Sequence, residues 1–292
     1  MTAPAILLGL TAALCWALGQ TILKLAVDRI DLAILGLIRW MSVLPLALGA
    51  GLLFLEIRFT SAPDVWGMAG LAGVVDAFLG TGLLLYALRR TPGHQAVSLA
   101  NTAPLWGVLA SVLFLGDPAR IPVLVAAVLV SVGAFLLVSR GAGRRSKSSR
   151  GMGTIAAVFT GIMWGIAETV LAKYCLDRGM SPAGLLIVFA ATASFCWSLL
   201  LVGTRFYRRL VFDWRSAGIG VGSAVVGAFL GWIAWLSGLE LSHASLLAPV
   251  RGMTVLFGFL AGVILLRERP ASRAAIGAVV VTAGVLLVAT AG

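Results

Sequence analysis

Apolar residues run along this chain in long continuous stretches broken by short charged clusters. Nowhere do they alternate with polar residues over the roughly 10 positions that a membrane-spanning strand needs. A bilayer core about 30 Å thick takes roughly 20 mostly apolar residues per helical span. Ten stretches of that kind fit, at roughly 4–26, 33–55, 66–88, 96–116, 121–139, 153–173, 182–203, 217–238, 245–266 and 274–291. The connections are too short to hold a soluble domain. The pattern therefore predicts an all-α integral membrane protein whose function sits inside the helix bundle. No basic residue precedes the first run, the first being Lys24, so this helix is expected to be retained rather than removed as a leader.

The pattern is also written twice. CWALGQTILK at 15–24 returns as MWGIAETVLA at 163–172, pairing Trp16 with Trp164, Thr21 with Thr169 and Leu23 with Leu171, while Gln20 becomes Glu168. AFLG at 77–80 returns at 228–231, and VSVGAFLLV at 130–138 returns as VTAGVLLVA at 281–289, so the offset is 148 early and 151 later. Each copy holds five spans, an odd number, and the second copy must enter the membrane from the opposite side. The expected architecture is two inverted five-helix repeats around a central cavity, divided as 1–139, a basic linker at 140–152, and 153–292. Inverted repeats give many secondary transporters two access states from one fold, with the site at the repeat interface near mid-membrane. The duplicated Trp-x-x-x-(Gln/Glu)-Thr helix would supply one wall of that cavity from each half.

Composition agrees: 60% of residues are hydrophobic, 11% are charged and the mean hydropathy is +1.05, which excludes a water-soluble domain. A net charge of +11 raises the question of a nucleic-acid partner, and its placement answers it. Sixteen of the Lys and Arg residues flank the odd-numbered loops, whereas the even-numbered loops hold Arg58, Arg120, Lys173 and Arg178 only. Basic loops stay in the cytoplasm, so both termini are expected outside and the RGAGRRSKSSRG linker at 140–151 inside a cell (inner) membrane, with no nucleic-acid role. Cys15, Cys175 and Cys196 form no spaced framework, and no metal or cofactor is expected. Among 35 glycines, the pairs Gly161/Gly165, Gly218/Gly222, Gly227/Gly231 and Gly258/Gly262 have GxxxG spacing. These read as helix packing within one chain before they read as a dimer seam, so a monomer or weak homodimer is expected.

The ten-span, five-plus-five plan resembles the drug/metabolite transporter superfamily, in particular its EamA-type exporters. The resemblance rests on the tryptophan followed by small residues in spans one and six, on ALRRTPGHQAVSLANTAPLWGVLASVLFLGD at 87–117, and on LLRERPASRAAIGAVVVTAG at 265–284. In that family a proline in span four, with an acid about 13 positions later, recurs in each half. Pro104 and Asp117 match; in the second half Glu268 is present, but Val255 stands where the proline would be. The resemblance implies export of amino acids, metabolites or amphipathic compounds.

Ionisable groups at mid-span cost roughly 2.5–3.5 kcal/mol on insertion scales, so each needs a partner or a wet cavity. Four qualify: Arg39, Asp76, Glu168 and Arg251. Glu168 near the end of span six and Arg251 near the start of span nine fall at similar depth, because the two spans run in opposite directions. Either they form a substrate site, Arg251 for a carboxylate and Glu168 for an amino group or proton, or they are a static pair that fixes packing. Asp76 is the other proton-coupling candidate, with no partner visible in sequence. Arg39 is placed near the cytoplasmic edge, where it would snorkel, and Lys24 and Lys173 near span ends are read the same way. Asn101 and Thr102 precede Pro104, which frees a carbonyl by lacking a donor. Trp16, Trp106 and Trp164 are deep and join Gln20, Asn101, Thr102, Glu168 and Arg251 as candidate substrate contacts. Trp40, Trp66 and Trp214 are expected at membrane interfaces, while Trp232 and Trp235 could equally face lipid.

A cavity combining aromatic surface with one acid and one base suits a zwitterion with an apolar side chain, hence an exporter of amino acids or similar small amphipathic metabolites by alternating access. The alternative within transport is a proton-coupled exporter of cationic or amphipathic drugs. An intramembrane enzyme is a third reading, disfavoured because His94 and His243 sit at span edges without HExxH spacing and no serine has a base at membrane depth.

Overall fold

The computed structural model describes residues 2–91, 96, 99–118, 120–137, 147–207, 209–265 and 272–291. His94, Arg208, Glu268 and linker residues 140–146 lie outside these described residues. The described residues form ten apolar helices: α1 (Ala3–Lys24), α2 (Leu32–Leu53), α3 (Pro63–Arg90), α4 (Ala103–Leu115), α5 (Ile121–Leu137), α6 (Gly151–Asp177), α7 (Pro182–Tyr207), α8 (Trp214–Glu240), α9 (Ala244–Ala261) and α10 (Ser272–Ala291). Seven are long and apolar enough to cross a membrane by themselves. Proline starts α3 and α7, where its missing N–H costs nothing. Gly116 (φ 69°) ends α4 and Gly179 (φ 91°) turns the chain from α6 into α7, both in the left-handed region that favours glycine.

The halves interlock reciprocally. Helix α1 packs on α8 and α9, as α6 packs on α3 and α4; α2 pairs with α7 and α5 with α10. The Trp16 ring lies where a side chain on Gly231 would project, 2.7 Å from an added Cβ. The repeat-related Trp164 ring occupies the same place over Gly80, at 2.8 Å. Of the GxxxG pairs, Gly161/Gly165 admits α4 and Gly227/Gly231 admits α1, whereas nothing lies within 4 Å of an added Cβ at Gly218 or Gly222. The first two pairs thus serve packing within the chain.

Both ends of the bundle carry a two-bond latch, and the latches are related by the repeat. At the basic end, Asp31 N–H donates to the Val211 carbonyl (3.0 Å) and Asp31 Oδ2 accepts from Val211 N–H (2.6 Å). At the opposite end, Ser181 N–H donates to the Arg58 carbonyl (3.0 Å) and Ser181 Oγ accepts from Arg58 N–H (2.9 Å). Asp31 and Ser181 sit at the N-termini of α2 and α7. At the start of α8, Asp213 accepts from the N–H (2.8 Å) and hydroxyl (2.5 Å) of Ser216, and these bonds hold its carboxyl below the usual range.

Candidate functional site

The chain turns just ahead of α4 and is broken within α9, in both places where it faces the centre. Asn101 and Thr102 form a turn ahead of Pro104. In α9 a 3₁₀ segment, Ala248–Gly252, interrupts the α-helix. The proline at this second break is Pro249, not position 255, where the family pattern places it and the chain has Val255. Broken helices at membrane depth turn backbone and side chains toward a shared cavity, and here they deliver Asn101 and Arg251.

Arg251 is the hub. Its Nη2 donates to Glu168 Oε1 (2.7 Å), its Nε faces Glu168 Oε2 in the same ion pair, and its Nη1 donates to Asn101 Oδ1 (3.3 Å). Asn101 Nδ2 donates on to Gln20 Oε1 (3.5 Å), so one polar chain ties α6, α9, the turn ahead of α4, and α1. The guanidinium also lies between the two repeat-related indoles, 5.1 Å from the Trp16 ring and 5.3 Å from that of Trp164, within cation–π range. The proposed Glu168–Arg251 pairing is therefore present, and the duplicated tryptophans bracket its cation.

Around this pair lies a cavity of about 20 Å³, room for about one water. Trp16, Gln20, Asp76, Trp164, Glu168 and Arg251 line it, together with four residues that sequence reasoning had not assigned to it: Arg39, Trp40, Thr81 and Trp232. Arg39 does not snorkel outward. It is 7% exposed, points inward and interacts with Asp76. Asp76 in turn faces Glu168, Arg251 and Arg39, the partners invisible in sequence. Two carboxylates thus stand against two guanidiniums, so the centre is formally neutral, which limits the cost of burying four charges. Trp40 is buried against Phe189 rather than placed at an interface, and Trp232 and Trp235 are buried rather than lipid-facing. Thr81 and Trp232 were within reach of the repeat: each follows directly on its copy of AFLG.

Two expected contacts stand aside. Thr102 Oγ1 donates to the Leu99 carbonyl (2.8 Å), and Trp106 Nε1 donates to Thr102 Oγ1 (3.3 Å), leaving the ring half-buried beside Gly165 and off the cavity. Asp117, the family-type acid, accepts from Ser245 N–H (2.8 Å) and pairs with His243 Nδ1 (3.4 Å), holding the start of α9. Lys173, read as a snorkelling residue, instead donates to the Leu239 carbonyl (2.9 Å) and pairs with Asp177 (2.9 Å). It borders a cleft of about 680 Å³ at the end opposite the basic loops, walled by the ends of α4, α6 and α8 and the start of α9. Lys173 lies five residues beyond Glu168, about 7.5 Å along the helix.

A family model described as EamA-like transporter family matches residues 3–139 and again 151–290. The chain belongs to the EamA-like transporter family. It is a multi-pass membrane transporter, and the family is non-enzymatic, which removes the intramembrane-enzyme reading. The two matches account for the repeated architecture. Protein PecM of Dickeya dadantii (strain 3937) is 24% identical over 210 residues, spanning 70% of this chain and 68% of that protein. A solved crystal structure covers 100% of this chain with 98% of its own, at a TM-score of 0.80 and 18% identity, a likeness of fold alone.

Proposed function

We propose that this EamA-like transporter exports amino acids or similar small amphipathic metabolites by alternating access between the halves 1–139 and 153–292. The observation that carries the reading is the Arg251–Glu168 pair, buried at the repeat interface and bracketed by Trp16 and Trp164. A zwitterion replaces each partner of that pair in kind, its carboxylate taking Arg251 and its ammonium taking Glu168, while an apolar side chain meets the indoles. Gln20 and Asn101 then orient the carboxylate. A cavity of about 20 Å³ is too small for any such molecule, so the conformation is occluded, and loading requires the halves to part. The cleft beside Lys173 is the route on the face opposite the basic loops.

Asp76 supports proton coupling, because its Oδ2 has no hydrogen-bond partner among the described residues while the carboxyl faces Glu168. The same observation favours the second reading, exchange of cationic or amphipathic drugs for protons. Counterflow of labelled amino acids into proteoliposomes, with and without a pH gradient, tests both. Uptake abolished in Glu168→Gln and Arg251→Gln is expected for a zwitterion site; folded protein that moves organic cations and no amino acid selects the drug reading. We place both termini outside the cell (inner) membrane and the linker 140–151 in the cytoplasm, on the charge bias. Labelling of cysteines introduced in that linker by an impermeant reagent on intact cells would reverse this orientation.

A further inference from the structure

Helices α3 and α6 each carry a π-turn at the place where an acid enters the cavity: Asp76 within Gly73–Gly80 and Glu168 within Ile166–Leu171. A π-turn shifts the bonding register, so one carbonyl loses the amide that an α-helix would give it. In α3 the Thr81 N–H bonds the carbonyls of Asp76 and Phe78 and passes over that of Ala77. In α6 the Ala172 N–H bonds those of Ala167 and Thr169 and passes over that of Glu168. Each oxygen passed over accepts an indole N–H instead, Ala77 from Trp197 at 3.0 Å and Glu168 from Trp235 at 2.8 Å. The π-turns at Ser111–Leu115 and Ala224–Leu230 carry no acid, and no indole bonds to them among the described residues.

We infer that Trp197 and Trp235 are positioning residues that lock the two acid-bearing π-turns and so hold Asp76 and Glu168 toward Arg251. Both indoles are themselves fixed. Trp197 fills the space left by Gly36, where an added Cβ would lie 2.5 Å from the ring, and meets Phe78 edge-on at 5.1 Å. Trp235 packs at 5.5 Å on Trp16, the ring beneath Arg251, so it touches the backbone of the acid and the platform of the base together. Were a π-turn to relax into regular α-helix, the residues on one side of it would rotate by about 100° against the other, turning the acid off the cavity. The two locks differ in reach. Trp197 comes from the second half and holds an acid of the first, whereas Trp235 and Glu168 belong to the same half.

The test replaces each tryptophan by benzothienylalanine, which keeps ring shape and volume but has sulfur where the N–H was, and by phenylalanine for comparison. Infrared difference spectra of the purified protein assign the carboxyl bands by their loss in Asp76→Asn and Glu168→Gln. The expected result is a preference: the sulfur isostere at 197 moves the Asp76 band and its pH profile further than those of Glu168, which Asp76 faces, and the isostere at 235 does the reverse. Bands that stay in place, or that move to the same extent in both variants, overturn the proposal. This arm uses no substrate, so it stands or falls apart from the transport reading on which the second arm rests. In counterflow, the isosteres raise the half-saturation concentration by about three- to tenfold, the worth of one hydrogen bond, with the maximal rate nearly unchanged. An unchanged half-saturation in a transporting protein also overturns it.

Discussion

Helices α1 and α6 share a skeleton and differ in what they do with it. Both carry a tryptophan that fills a glycine on the opposite half, and both present a polar residue four positions later. In α1 the helix is regular through Gln20, which makes one long contact with Asn101. In α6 a π-turn surrounds Glu168, whose carbonyl is taken by Trp235 and whose carboxylate takes Arg251 in two places. The frame is symmetric and the chemistry is not. Two-fold packing supplies a cavity with matched walls, and one substitution with one extra turn converts one wall into a charged site.

The comparison breaks most severely at Glu168→Gln, which gives α6 the residue of α1. It removes the carboxylate bonded to the Arg251 guanidinium and leaves Asp76 alone against two buried cations, an expected cost of about 3–5 kcal/mol, measured as a drop in thermal unfolding temperature in detergent. The double variant Glu168→Met/Arg251→Leu removes both charges and should recover most of that stability without recovering transport. Recovery of transport as well would show the pair to be packing only.

A middle-sized effect tests the frame itself. Gly231→Ala and Gly80→Ala each drive a methyl into an indole, at 2.7 and 2.8 Å, and both should destabilise by about 1–3 kcal/mol. Unequal costs would mean that the two walls do not pack alike. Ser181→Ala removes the acceptor for Arg58 N–H and Gly184 N–H at the α7 start, with an expected loss of about 0.5–2 kcal/mol by denaturant melts. The smallest change is Gln20→Ala, whose bond to Asn101 is long at 3.5 Å; a loss above about 1.5 kcal/mol would give Gln20 a weight that the comparison denies it.

The ten spans, the repeat and the Glu168–Arg251 pair were legible because each leaves a mark in one dimension: run length, recurrence, or a charge where charge is expensive. Arg39 was misplaced because distance from a span end is a poor measure of which face a side chain takes, and the face here is set by the partner Asp76. The π-turns left no such mark. The two that carry acids meet indoles 120 and 67 positions away in the chain, and Trp197 and Trp235 look in sequence like any other aromatic residue of an apolar run. Pro249 was missed for a related reason: the two breaks are in register across the repeat, but the prolines beside them are not, since Pro104 follows the Asn101–Thr102 turn whereas Pro249 lies within the 3₁₀ segment.

The exchange of Trp16 for the space above Gly231, and of Trp164 for the space above Gly80, bears on ancestry as well as packing. Each half displays a hole cut for the other's ring, as two separate subunits would if one gene had once supplied both, inserted in opposite orientations. Halves separated within 140–151 and co-expressed should reassemble into a folded pair, and a first half combined with its own duplicate should retain the frame but lack the Glu168–Arg251 pair, both members of which belong to the second half.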